Sequence, residues 1–138
     1  MKRVLFLCTG NSCRSQMAHG WLEELDADNY EVFSAGVETH GVNPRAITVM
    51  AEAGVDISGY SSNKVDEYLG MDFDLLVTVC SGAKERCPIF LGKVKERAHW
   101  PFEDPAAATG TEDEIMDTFR RVRDDIKARI ESFLQEGC

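Results

Sequence analysis

The sequence predicts an α/β fold: one domain, a three-layer sandwich in which a four-stranded parallel sheet carries helices on both faces. Strand-like and helix-like segments alternate along the chain, the order that builds β-α-β units and a parallel sheet. The runs Val4-Leu5-Phe6-Leu7-Cys8 and Leu75-Leu76-Val77 are continuously apolar rather than alternating, as in strands buried on both faces. No repeat, low-complexity stretch or linker interrupts the 138 residues, so residues 1–138 read as a single domain.

Val4 to Cys8 is the first strand, ending in a glycine-containing turn. Arg14 to about Leu25 follows as a helix, with Met17, Ala18, Trp21, Leu22 and Leu25 at helical spacing. Glu31 to Ala35 is the second strand. The next helix, Pro44 to Ala53, is well punctuated: Asn43 precedes it as N-cap, Pro44 takes the first position and Gly54 stands just past the end. A shorter helix is expected over Val65 to Leu69, a third strand over Asp74 to Val79, and a fourth over Arg97 to Trp100. In the last helix Thr111 and Glu114 form a capping box, and Ile115, Phe119, Val122, Ile126, Ile130 and Phe133 recur every three or four residues.

Composition narrows the function classes. Twenty-four acids against 15 bases give a net charge of −9, which excludes a basic surface for nucleic acid or anionic membrane. The apolar run at the N-terminus stops at Thr9-Gly10, short of the roughly 7 residues of a signal core, and no run approaches the ~20 residues of a membrane span. A cytoplasmic location is expected, where thiols stay reduced. The 5 cysteines, Cys8, Cys13, Cys80, Cys87 and Cys138, are an odd number that suits no paired disulfide framework.

In a parallel sheet, ligands bind beyond the carboxyl ends of the strands, and Cys8 and Cys80 each follow a strand. Cys8-Thr9-Gly10-Asn11-Ser12-Cys13-Arg14-Ser15 joins the first strand to the first helix. Such a loop turns its backbone N–H groups toward one centre, with Gly10 and Asn11 able to adopt positive φ, and the helix N-terminus adds partial positive charge. Arg14 supplies a two-pronged donor suited to tetrahedral oxyanions. The same field lowers the expected pKa of Cys8: at pH 7 a thiol of pKa 8.5 is only ~3% thiolate, one of pKa 6 about 90%. Ser15 is placed to donate to that thiolate. Cys13 is read as a buried thiol of the loop. The spacings Cys8–Cys13 and Cys80–Cys87 do not match structural zinc, and His19, His40 and His99 are too scattered for a metal set.

Together with Asp104-Pro105, the loop resembles the low-molecular-weight tyrosine phosphatase fold. More specifically, CTGNSCRSQM from Cys8 to Met17, SAGVETHGVNP from Ser34 to Pro44, and Cys80 with Cys87-Pro88 resemble the thioredoxin-coupled arsenate reductases built on that fold. The likeness spans about Val4 to Ile130. It implies that arsenate, with phosphate or sulfate as competing oxyanions, binds the loop residues Thr9 to Ser15 and that Cys8 attacks arsenic. Asp104 then acts as general acid, preferred over Glu103 because its Asp-Pro setting matches the family's acid. The resemblance further implies a relay in which Cys80 attacks Cys8 and Cys87 attacks Cys80. A transient, redox-active Cys80–Cys87 disulfide results, which thioredoxin reduces. No bound cofactor is implied.

Two alternatives stay open: a phosphatase using Cys8, Arg14 and Asp104 with the other cysteines idle, and an oxyanion-binding or redox-sensing module. Ser15-Gln16 stands where the phosphatases usually have Ser-Pro, which favours the reductase. If residues 80 to 87 were helical, their Cα atoms would stand about 10.5 Å apart, beyond the reach of a disulfide, so that segment is expected to rearrange during turnover. Some reductases of this group hold potassium near the loop through carboxylates. The matching positions here include His19 and Asn63, beside Asn11 and Ser34, a neutral set that holds a cation weakly. Trp100 and Phe102 read as core or loop packing, His19 as an exposed or capping residue, and the chain as a monomer.

Overall fold

Strands β1 (Lys2–Cys8), β2 (Tyr30–Gly36), β3 (Phe73–Thr78) and β4 (Val94–His99) form one sheet in the order β2-β1-β3-β4, with all neighbours parallel. The computed structural model describes residues 1–79 and 92–136. Cys80, Cys87 and Cys138, and with them the expected relay and its rearrangement, lie outside the described residues.

The central place of β1 follows from its sequence. Val4 and Phe6 point into the larger core cluster, which they share with α1 (Arg14–Asp26), α2 (Pro44–Glu52) and α3 (Glu112–Gln135) through Met17, Val49 and Ile126. Leu5 and Leu7 point the other way, into a second cluster with Ala35, Val65, Phe73 and Leu76. Alternate residues thus feed opposite faces, and an uninterrupted apolar run is the only pattern that fills both. Phe6 is fully buried, with its ring 6.1 Å from Trp100, which in turn lies 5.6 Å from Phe133. Phe6→Ala is expected to cost about 3–5 kcal/mol, read as a lower urea midpoint at unchanged slope.

The helix ends match the sequence signals. Asn43 Oδ1 accepts from Arg45 N at 2.8 Å, and Gly54 takes φ 86° after α2. Thr111 Oγ1 accepts from Glu114 N at 3.2 Å while Glu114 Oε1 accepts from Thr111 N at 3.4 Å, closing the capping box.

Three expectations change in detail. The helix over Val65 to Leu69 is a single 3₁₀ turn, Val65–Tyr68, too short to propagate. The fourth strand begins at Val94, because Lys95, Glu96 and Arg97 are exposed on an edge strand, where charge guards the open hydrogen-bonding edge and hides the apolar signal. Leu25 is 37% exposed, off the buried stripe of α1. No described helix is long and apolar enough to cross a membrane.

Candidate active site

At the carboxyl end of β1 the chain turns through Thr9 to Cys13 into α1. Cys8 is register partner of Gly36 on β2. Val79 N donates to Leu7 O at 3.0 Å, so the chain beyond β3 leaves the sheet beside β1, one residue before Cys80 in sequence. Cys8, Thr9, Gly10, Ser12, Cys13 and Arg14 line a pocket of about 360 Å³, and Asp104 closes one side. The sequence-predicted residues Cys8, Arg14 and Asp104 are therefore brought together.

The side chains of Asn11 and Ser15 bond each other and hold the loop from behind. Asn11 takes φ 48°, the positive-φ position of the loop. Its Nδ2 donates to Ser15 Oγ at 2.8 Å and its Oδ1 accepts from Asn63 N at 2.8 Å. Its carbonyl accepts from Ser62 Oγ at 2.6 Å and Gln16 Nε2 at 3.0 Å. With its carbonyl drawn outward and its side chain fixed on both sides, the left-handed turn is strongly determined.

A second set of bonds draws out the other loop carbonyls. Glu38 N donates to Thr9 O at 3.0 Å, His40 N to Gly10 O at 3.1 Å and Asn43 N to Ser12 O at 3.0 Å. The segment from Glu38 to Asn43 thus forms a strap along the loop. Carbonyls turned outward leave the intervening N–H groups to face inward, which is how a loop becomes an anion cradle. Cys13, the N-cap of α1, makes no side-chain capping bond, and the first turn carries no acid, so the positive helix end is left for a ligand.

Arg14 is 4% exposed; its Nη1 donates to Phe102 O at 3.1 Å, and its Nη2 lies 3.9 Å from Asp104 Oδ2. Asp104 Oδ1 accepts from Ala106 N at 3.0 Å, capping the 3₁₀ turn Pro105–Ala107. Glu103, the competing acid, instead bonds Arg121 Nη2 at 2.6 Å on the surface and takes no part in the pocket.

Burial pushes the Cys13 thiol up to about 11, against the lowering effect of the Ser12 hydroxyl. Cys13 is therefore protonated at neutral pH. In the folded protein at pH 7.5, peptide mapping should find it unmodified by iodoacetamide, and it should become reactive only after denaturation.

His19 is neither free at the surface nor a cap. Its Nδ1 bonds Ser34 Oγ at 2.9 Å, its Nε2 lies 2.9 Å from Glu23 Oε1, and its ring packs at a tilt against Tyr60, the ring centres 4.6 Å apart. Tyr60 donates to the same carboxylate at 2.6 Å. The bond from His19 holds the Glu23 carboxyl below its ordinary value. Of the positions matching the potassium ligands of some reductases, His19 bonds Ser34 through its side chain and the Asn63 backbone N–H donates to Asn11 Oδ1. Sequence reasoning missed the strap and the Ser61–Asn63 segment as parts of the site. The SAGVETHGVNP run was the available signal for the strap.

The low molecular weight phosphotyrosine protein phosphatase family model matches residues 3–136. An arsenate reductase from Halalkalibacterium halodurans is 51% identical over 136 residues, covering 99% of this chain and 97% of that protein. Among solved structures, an arsenate reductase in the phosphate binding state superposes with a TM-score of 0.82 at 34% identity, over 99% of this chain and 98% of that one. A thioredoxin-dependent arsenate reductase from Corynebacterium glutamicum gives a TM-score of 0.65 at 25% identity, over 99% of this chain and 63% of that one. With the loop, its arginine and the parallel sheet in the places described, the chain belongs to the low molecular weight phosphotyrosine protein phosphatase family.

Proposed function

We propose that the protein is a cytoplasmic, monomeric arsenate reductase that draws electrons from thioredoxin and serves arsenic detoxification. The observation that carries this reading is the convergence of Cys8, Arg14 and Asp104 on one pocket, in a chain about half identical to proteins named arsenate reductase. The family resemblance supplies the order of steps, and the placement of the three residues supports the first. Arsenate sits on the N–H groups of Thr9 to Ser15 with Arg14 across its oxygens, where phosphate or sulfate competes. The Cys8 thiolate forms an S–As bond as an As–O bond breaks, and Asp104 protonates the departing oxygen.

The remaining steps use the thiols of Cys80 and Cys87. Cys80 attacks Cys8 sulfur, forming a Cys8–Cys80 disulfide. The electron pair of the broken S–As bond stays with arsenic, reducing arsenate(V) to arsenite(III). Cys87 then attacks Cys80, releasing the Cys8 thiolate and leaving Cys80–Cys87 oxidised. Two electrons from a thioredoxin dithiol restore it.

The test is NADPH consumption with arsenate, thioredoxin and thioredoxin reductase, compared with Cys8→Ser, Cys80→Ser and Cys87→Ser. Arsenate-dependent oxidation by the intact protein that each substitution stops is the expected result. No oxidation by the intact protein overturns the reading.

The family name favours a second reading, a phosphatase that needs only Cys8, Arg14 and Asp104. Aryl phosphate hydrolysis sensitive to Cys8→Ser but not to Cys80→Ser, without arsenate reduction, would establish it. Against it, Glu38, His40, Asp104 and Ala106 form the pocket rim among the described residues, with no Phe, Tyr or Trp among them to stack a tyrosine ring.

A further inference from the structure

Glu38 and His40 line the same pocket as Cys8, Arg14 and Asp104, although neither belongs to the loop. Their backbones are fixed to it: each donates its N–H to a loop carbonyl, Glu38 to Thr9 and His40 to Gly10. Their backbone positions are therefore tied to the loop, and both side chains start from the pocket mouth.

His40 Nε2 lies 2.8 Å from Glu38 Oε2. The other edge of the ring faces the loop: Nδ1 and Cε1 stand 2.6 and 3.1 Å from where a Cβ on Gly10 would be. The absence of a side chain at residue 10 is what lets the imidazole lie against the loop. Both side chains are about half exposed, 56% for His40 and 45% for Glu38, which puts them at the mouth rather than the floor.

The charges at this pocket are unfavourable for its proposed ligand. Among the described residues lining the pocket Arg14 is the one cationic side chain besides the imidazole of His40, whereas Asp104 and Glu38 both carry carboxylates, and the attacking form of Cys8 adds another negative charge. A doubly charged oxyanion approaching such a mouth is repelled unless a carboxylate is covered. His40 Nε2, 2.8 Å from Glu38 Oε2, does this by donating a hydrogen bond to the carboxylate.

We propose that the Glu38–His40 pair is a specificity device of the oxyanion pocket. His40 covers the Glu38 charge and narrows the entrance over Gly10, so the mouth admits a small tetrahedral oxyanion. Glu38 in return holds the imidazole in place. This rests on the reading of the pocket as an oxyanion site, and it assigns the two residues to binding rather than to the chemical steps.

The test is calorimetric titration with inorganic phosphate, which needs neither the thiol relay nor thioredoxin. At low salt His40→Ala should weaken binding about five- to twentyfold, the range expected for an uncovered charge several ångströms from an anion. Glu38→Gln should leave affinity within about threefold of the parent or raise it, and the double variant should recover to the same range. The loss in His40→Ala should shrink toward twofold near 0.5 M NaCl, because salt screens a half-exposed charge and would not repair a misshapen loop.

His40→Gln, which keeps a donor for Glu38, should bind nearly as the parent does and serves where His40→Ala folds poorly. Unchanged affinity in His40→Ala, a double variant as weak as His40→Ala alone, or a salt-independent loss overturns the proposal. Failure of the intact protein to bind phosphate overturns the oxyanion reading as well. Phosphate binding with the expected pattern, but without arsenate turnover, overturns the reductase reading alone.

Discussion

Cys8→Ser is expected to reduce arsenate turnover by at least roughly a thousandfold while leaving oxyanion binding within a few-fold of the parent. The two readouts separate because they draw on different atoms. The proposed cradle is made of loop N–H groups, the end of α1 and Arg14, none of which depends on sulfur. In the proposed reaction, turnover needs a thiolate that can bond arsenic and then be displaced from it by another thiol. A serine hydroxyl is barely ionised at neutral pH and cannot enter a disulfide. Phosphate titration and the NADPH-coupled assay on the same preparation check both halves. Loss of phosphate binding together with turnover would mean that the substitution had disordered the loop.

Gly36→Ala is expected to have a large effect for a single added methyl group. A Cβ at residue 36 would stand 2.7 Å from Thr9 O and 2.8 Å from both Cys8 O and Asn11 N. All three are backbone atoms of the loop, so no side chain can swing aside to make room. Either the β1–β2 pairing opens at its Cys8↔Gly36 end or the loop shifts as a body. Overpacking of this kind costs about 1–3 kcal/mol in stability. A loop displaced by several tenths of an ångström or more should lose phosphate affinity by at least about tenfold. Urea denaturation and phosphate titration measure the two effects. Gly59→Ala is the control: nothing lies within 4 Å of its Cβ, so its stability should change by less than about 0.5 kcal/mol. Parent-like phosphate affinity in Gly36→Ala would show that the loop tolerates the shift.

How much of this was legible in the sequence depended on the range of the interactions involved. The Cys8-to-Arg14 loop could be placed because its strand and helix are its immediate neighbours in the chain, each with a clear apolar pattern. The caps of α2 and α3 were legible for the same reason, since Asn43 with Pro44 and Thr111 with Glu114 act within one helical turn. Ser62 gave no such sign. Its hydroxyl reaches the carbonyls of Gly10 and Asn11 across about fifty residues of sequence, and a serine in a polar stretch carries no pattern of its own.

The strap was hidden differently: its bonds to the loop run through backbone N–H groups, which every non-proline residue carries. Family resemblance drew attention to the run, but its mechanical role needed coordinates. His19 was misread because a histidine in the second turn of a helix says nothing about Ser34 on the neighbouring strand or Tyr60 beyond α2. The fourth strand lost its first three residues to a charge pattern that belongs to sheet edges in general.

The two oxygens of Asp104 are not equivalent. Oδ1 is engaged by the N–H of Ala106, two residues on, whereas Oδ2 is the one turned toward Arg14. A carboxyl group tethered by one oxygen to its own turn does not rotate freely, so in the proposed reaction it can hand over a proton along a single trajectory. Aspartate and glutamate are then not exchangeable at this position. One extra methylene would slacken the tether and shift the aim together, giving an enzyme with the right acid pointed in the wrong direction.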